Sequence, residues 1–161
     1  MPYPGFFVGS QRTGRLPSRA GNEDLMEHEE LIERCLELAL DKKAEEPKIL
    51  DMVESLNITD HFLLVSAQNR RQAQAIASSL DVEMKHAGVP KARIEGYTEG
   101  WWILMDFDSL VVHIFQSEAR EYYGLDRLWA DAKDETQLYL SKVEKRLAER
   151  DPGPDAEGSG I

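Results

Sequence analysis

The residues with the greatest chemical potential lie between positions 101 and 129, in WWILMDFDSLVVHIFQSEAREYYGLDRLW. Asp106 and Asp108 form a carboxylate pair that could ligate the divalent cation used in nucleotidyl transfer. Residues i and i+2 share a face only while a strand continues, and this pair flanks a predicted turn. A phosphate-holding Gly-Ser turn and a third carboxylate are not evident upstream. The favoured interpretation is a turn-stabilising pair exposed to water, with a metal-dependent nucleotidyltransferase-like enzyme as the alternative.

Two other side chains that could take part in catalysis have structural interpretations. His113 shares a strand face with Val111 and Phe115, where a lone histidine is more often a hydrogen-bonded structural residue than a base. Cys35 falls on the apolar stripe of a predicted helix, where burial would raise its pKa and leave it inert. The chain has no Walker loop and no GxGxxG motif. The sequence therefore predicts a protein that is not an enzyme, with no catalytic residue, no metal site and no cofactor.

Strand alternation divides WWILMDF into two faces. One face holds Trp101, Ile103, Met105 and Phe107, and the other holds Trp102, Leu104 and Asp106. The first face is typical of a core. On the second face a carboxylate accompanies Trp102, which favours partial exposure, and an exposed tryptophan beside acids is typical of an interface anchor. The alternative is that both tryptophans are buried under helices on opposite faces of the sheet.

The charge balance points to a basic partner. The 161-residue chain has a formal net charge of -11, of which residues 47 to 132 contribute -5, from 13 acids and 8 bases. Neutralising phosphates needs clustered Lys and Arg, so direct sequence-specific binding of nucleic acid is not expected. A single cysteine permits no intramolecular disulfide and fits a reducing, cytoplasmic compartment. No apolar run is long enough to span a membrane.

Composition predicts one domain with tails. We expect a disordered N-terminal tail over 1–25, a folded domain over 26–132, an appended charged helix over 133–150 and a disordered C-terminal tail over 151–161. Residues 1 to 22 contain three arginines and no acid, which overlaps with an organellar transit peptide. The preferred interpretation is that these residues form a tail with no targeting role, or that translation starts at Met26.

Hydrophobic periodicity predicts the elements that position these residues. Helices are expected over 27–44, from the N-cap Asn69 to Gly88, from about 117 with an interruption at Gly124, and beyond 134 with one shallow apolar stripe. Strands are expected over 48–53, 61–67, 92–97, 101–107 and 110–116, the last two forming a hairpin around Asp108 and Ser109. The predicted fold class is α/β, with a small mixed sheet of about five strands flanked by helices and an extra C-terminal helix.

An ordered series of short motifs makes the chain resemble a known family. The series runs from about residue 28 to 132 and comprises Ile58-Thr59-Asp60, Ser66, Arg71-Gln72, Ala75-Ile76-Ala77, Glu95-Gly96, Trp102, Asp106, Val111-Val112-His113-Ile114-Phe115, Arg120, Tyr123, Leu125, Leu128 and Trp129. In this order and at these spacings the residues resemble those of the ribosomal silencing factors, the Iojap-like family.

The resemblance implies a fold like that of nucleotidyltransferases but without their catalytic residues. It also implies a non-catalytic repressor of translation that binds the large ribosomal subunit through ribosomal protein L-fourteen and blocks association with the small subunit. Such proteins often form homodimers off the ribosome, and organellar relatives take part in large-subunit assembly, which is a further alternative here.

Carried over position by position, the resemblance places the exposed strand tryptophan at Trp102 and the strand carboxylate at Asp106. The family usually has Gly then Asp in the hairpin turn, whereas this chain has Asp108 then Ser109. The expected partner-binding residues are Trp102, Leu104, Asp106, Asp108, Ser109 and Glu95.

Overall fold

The computed structural model describes residues 26–53 and 59–150. In chain order the elements are α1 (His28–Asp41), β1 (Glu45–Asp51), β2 (His61–Ala67), α2 (Arg70–His86), β3 (Arg93–Glu95), β4 (Trp102–Asp106), β5 (Leu110–Gln116), α3 (Ser117–Tyr123), α4 (Leu125–Leu128), β6 (Lys133–Asp134) and α5 (Thr136–Arg150). Both predicted tails and most of the segment between β1 and β2 lie outside this part of the chain. No helix within it is long and apolar enough to cross a membrane.

The strands form one mixed sheet in the order β3-β4-β5-β2-β1-β6. The central β2 pairs parallel with β5 and antiparallel with β1. All seven residues of β2 are buried because helices cover both of its faces, as its nearly continuous apolar sequence predicts. The predicted mixed α/β sheet flanked by helices is confirmed, with β6 as a sixth strand too short to have been recognised by periodicity.

Two hydrophobic clusters occupy the opposite faces of the sheet. The larger lies under α1, α2 and α5 and takes Ile103, Met105 and Phe107 from β4 and the residue that follows it. The smaller lies under α3 and α4 and takes Trp102 and Leu104 from the same strand. The alternation read from WWILMDF is therefore correct for residues 102 to 107, since successive side chains point to opposite faces.

Helix α5 is more deeply integrated than a shallow apolar stripe suggests. Tyr139 and Val143 are buried in the larger cluster. Arg146 and Arg150 form ion pairs with Glu37 of α1, and Arg146 also pairs with Glu33. The expectation of a shallow stripe was wrong because α1 offers both an apolar face and acids that match the bases of α5. The division into domains stays a prediction.

Candidate functional site

Trp102 is buried, with 2% of its surface exposed, and Leu104 beside it is also buried. The prediction that Trp102 is partly exposed was therefore wrong. The α3–α4 segment folds over this face, and Tyr123 packs on the indole with ring centroids 4.7 Å apart. Asp106 does not force exposure of Trp102, because it is the last residue of β4, at the rim of the sheet, where its carboxylate is only half-buried.

The burial of Trp102 is completed by a hydrogen bond to His113. The indole Nε1–H donates to Nδ1 of His113 at 3.1 Å, and the Trp102 ring stacks on Phe115 at 5.2 Å. Because Nδ1 accepts, the proton of the neutral imidazole lies on Nε2. Burial, with the positive charge of Arg120 as a second cause, lowers the pKa of His113 to about 3. His113 is thus a neutral structural residue at physiological pH, as its apolar strand face indicated.

Trp101 does not occupy the place expected of it. It precedes β4, so strand alternation does not reach it, and its half-buried side chain packs against the same cluster as Trp102. The expectation that Trp101 belongs to the opposite, core face was wrong for this reason.

Arg120 fixes the α3–α4 segment over the aromatic face. Its guanidinium donates through Nε and Nη2 to both carboxylate oxygens of Asp126, at 3.1 and 3.0 Å, and through Nη1 to Ser66 Oγ and the Glu46 carbonyl. Burial raises the pKa of Asp126, but the hydrogen bonds and charge of Arg120, aided by Lys48, outweigh this and leave it lowered. One buried side chain therefore connects α3 and α4 to β1 and β2.

The hairpin residues remain at the surface, in a strained turn. Phe107 N–H donates to the Leu110 carbonyl, so Asp108 and Ser109 form the predicted two-residue connection. Asp108 has a φ of 79°, a value that Asp tolerates better than most residues. The Asp106 carboxylate accepts the Asp108 backbone N–H at 2.8 Å. This is the turn-stabilising arrangement that the sequence favoured for the pair.

The accessible part of the expected site is acidic. Glu95 on the edge strand β3, Asp106, Asp108 and Ser109 are all half-buried. On the outer side of the α3–α4 segment, Tyr122 and Leu128 are 68% and 65% exposed, although both lie in short helices that cover the core. The expected residues thus separate into a buried pair, Trp102 and Leu104, and an accessible acidic rim.

Comparison with known proteins identifies the family. The family model "Ribosomal silencing factor during starvation" matches residues 25–159. The chain belongs to the ribosomal silencing factor family. A ribosomal silencing factor of Halalkalibacterium halodurans is 37% identical over 107 residues, which cover 66% of this chain and 92% of that protein.

One relative has a name that gives a different role. "Mitochondrial assembly of ribosomal large subunit protein 1" of Mus musculus is 28% identical over 110 residues, covering 66% of this chain and 48% of the mouse protein. A crystal structure of a Chromobacterium violaceum protein superimposes with a TM-score of 0.63 at 30% identity, covering 65% of this chain and 88% of that one. Fold and sequence therefore agree on the family.

Sequence reasoning missed two features of this fold. The role of Arg120 as the residue that holds α3 and α4 was not anticipated, although Arg120 belongs to the motif series. The convergence of Asp51, His61 and Glu135 at one sheet edge was also missed. His61 gave a signal, a polar residue opening an apolar strand, but Glu135 stands in a charged segment with no pattern to distinguish it.

Proposed function

We propose that this family member is a non-catalytic repressor of translation that binds the large ribosomal subunit and blocks its association with the small subunit. The observation that carries the proposal is the match of the silencing-factor model along residues 25–159. Ribosomal protein L-fourteen is the proposed contact, and the protein is proposed to act in the cytoplasm and to form a homodimer off the ribosome.

The proposed contact surface is the acidic rim, made of Glu95, Asp106, Asp108 and Ser109, together with the exposed Tyr122 and Leu128. A chain with a net charge of -11 is attracted to a basic ribosomal protein and repelled by bare ribosomal RNA, which favours one docking orientation. The exposed Tyr122 and Leu128 side chains supply apolar area that would be desolvated on docking. Trp102 and Leu104 are proposed to support this surface from beneath rather than to touch the partner.

Sedimentation of purified ribosomal subunits through sucrose gradients tests the proposal. The protein is expected to co-sediment with the large subunit alone and to reduce the fraction of joined ribosomes when both subunits are present. Sedimentation with neither subunit, or unchanged subunit joining at saturating protein, would disprove it.

Two matched variants localise the contact. The double substitution D106N/D108N removes two charges while keeping an oxygen acceptor in the turn, and we expect about tenfold weaker large-subunit binding. The double substitution E144Q/E149Q makes the same charge change on exposed positions of α5 and should bind like the wild type. Equal binding by both variants would move the contact away from the acidic rim.

The substitution W102F tests whether Trp102 supports the contact surface from beneath or touches the partner itself. It removes the hydrogen bond to His113 and should lower the free energy of unfolding, while the folded fraction retains large-subunit affinity within about threefold. A loss of affinity as large as that of D106N/D108N, in protein that is fully folded by circular dichroism, would return Trp102 to the contact surface.

Large-subunit assembly in an organelle is the second candidate function. It is favoured by the name of the mouse relative and by the first 22 residues, which contain arginines and no acid. A fluorescent fusion of those residues expressed in a eukaryotic cell distinguishes the two, since diffuse cytoplasmic signal contradicts organellar import.

A further inference from the structure

A second cluster of polar side chains lies at the edge of the sheet where β1 ends and β2 begins. Asp51, His61 and Glu135 each offer one ligand atom there, and these atoms lie within 4.8 Å of one another. Asp51 and His61 are paired in the β1–β2 ladder, and the Glu135 backbone N–H donates to the Ile49 carbonyl at 2.8 Å. The three backbone positions are therefore fixed by the sheet. Within the described ranges, this is the one grouping of three such residues that could hold a metal ion.

His28 orients the imidazole of His61. Its Nε2 lies 2.9 Å from His61 Nδ1, and its Nδ1 lies 3.0 Å from Ser109 Oγ. In the metal-free protein His61 Nε2 lies 2.7 Å from Glu135 Oε1 and donates to it. A metal ion would take the place of that proton: with His28 Nδ1 donating to Ser109, His28 Nε2 would accept from His61 Nδ1 and leave the His61 Nε2 lone pair for the ion. Histidines that ligate metals usually donate their other ring N–H to a carboxylate, a backbone carbonyl or water, which fixes tautomer and ring orientation. Here His28 Nε2 would be that acceptor.

The surroundings of the cluster favour a positive charge. The side chains of His61 and Glu135 are 11% and 14% exposed, and His61 Nε2 is 2.7 Å from Glu135 Oε1. The Tyr139 ring packs edge-on against His61, with ring centroids 6.2 Å apart. A competing positive charge, Lys133 Nζ, lies 3.6 Å from Glu135 Oε2, on a side chain that is 74% exposed and able to turn toward water.

We propose that Asp51, His61 and Glu135 bind a divalent transition-metal ion of the zinc type, with water as the fourth ligand and His28 as the orienting residue. One imidazole nitrogen and two carboxylate oxygens suit Zn²⁺, whereas Mg²⁺ prefers six oxygens. Tetrahedral bonds of about 2.0 Å place ligand atoms about 3.3 Å apart. Side-chain rotation would therefore have to move His61 Nε2 and Glu135 Oε1 slightly apart from 2.7 Å, and bring together any ligand atoms that are as much as 4.8 Å apart. The ion would join the start of α5 to β1 and β2.

Calorimetric titration of the metal-stripped, full-length protein tests the site without any ribosome. Zn²⁺ is expected to bind saturably at one ion per chain and to raise the melting temperature as its concentration rises, while Mg²⁺ binds at least a hundredfold more weakly. An absence of saturable Zn²⁺ binding overturns the proposal and leaves the proposed silencing function untouched.

Substitutions assign the ion to this edge. H61N and E135Q are each expected to lower Zn²⁺ affinity at least tenfold, and K133Q, which removes the competing cation, to increase it. H86Q alters an exposed histidine at the end of α2 and should bind like the wild type. Wild-type affinity in H61N, or a loss in H86Q, places the ion elsewhere and overturns the assignment.

A measurement on the wild-type protein tests the site even if the variants fail to fold. Cobalt loaded in place of zinc should produce paramagnetically shifted imidazole N–H resonances from His61. A titration that leaves all histidine resonances of the folded protein at their metal-free positions overturns the proposal.

Discussion

The Trp102–His113 pair shows how two polar groups become compatible with a core. A buried indole N–H without an acceptor would weaken the fold, and a buried imidazole is tolerated best when neutral. Their hydrogen bond of 3.1 Å satisfies the indole N–H and holds His113 in one tautomer. Both residues belong to the motif series on which the resemblance rests, but motif matching could not distinguish a core pair from a contact pair.

The lowered pKa of His113 makes stability depend on pH. The unfolded chain takes up this proton near pH 6.5, whereas the folded protein does so only near pH 3. Between these values the unfolded state binds more protons, so the His113 contribution to stability is complete above pH 6.5 and falls as the pH decreases toward 3, by up to about 1.4 kcal/mol per pH unit. Urea unfolding of wild type and H113Q at pH 7, 6 and 5 measures it.

We expect H113Q to show a shallower decrease in unfolding free energy than the wild type across that range. H86Q, which changes an exposed histidine, serves as the control and should follow the wild type. Parallel pH profiles for wild type and H113Q would contradict the assignment of this pH dependence to His113.

The α3–α4 segment and α5 cover opposite faces of the sheet by different means. Gly124, with a φ of 61°, ends α3 and lets the chain turn into α4, as the interruption in periodicity predicted. Arg120 then fixes the segment through polar contacts. Helix α5 is held by Val143 and Tyr139 in the core and by ion pairs to α1. Glu33 and Glu37 are themselves buried, so the attraction of the arginines largely offsets the cost of removing these carboxylates from water. Burial of apolar side chains is therefore the larger contribution for α5.

The substitution V143A tests whether α5 is part of the folded domain. Removing two methyl groups from a fully buried position should lower the free energy of unfolding by about 2 kcal/mol. K145A, at an exposed position of the same helix, should change it by less than about 0.5 kcal/mol. Equal stability of the two variants in urea unfolding would show that α5 behaves as an appendage, as the sequence alone suggested.

The charge of the whole molecule determines how it approaches a partner. The net charge of -11 is distributed over the domain and its flanks. Long-range attraction of an acidic protein to a basic surface accelerates association and is screened by salt, since the Debye length is about 10 Å at 0.1 M. A metal ion at the Asp51–His61–Glu135 edge would locally reduce the negative charge.

Salt dependence of large-subunit binding tests this electrostatic contribution. Association is expected to slow by about tenfold between 50 and 300 mM KCl, at fixed Mg²⁺, while the dissociation rate changes little. Surface plasmon resonance with immobilised large subunits measures both rates. Association that is independent of salt would contradict a docking surface made of acidic residues.

The sequence by itself determined the elements other than β6, the alternation of β4 and the family, because periodicity, caps and ordered motifs are local properties of the chain. Asn69, for example, caps α2 as its position before an apolar stripe predicted. The tertiary structure decided which face each element covers. Trp102 is buried because α3 and α4 fold back on it, and His61 meets Glu135 across 74 residues because β6 pairs with β1. Such long-range contacts depend on the packing of whole elements, for which no local pattern provides a signal.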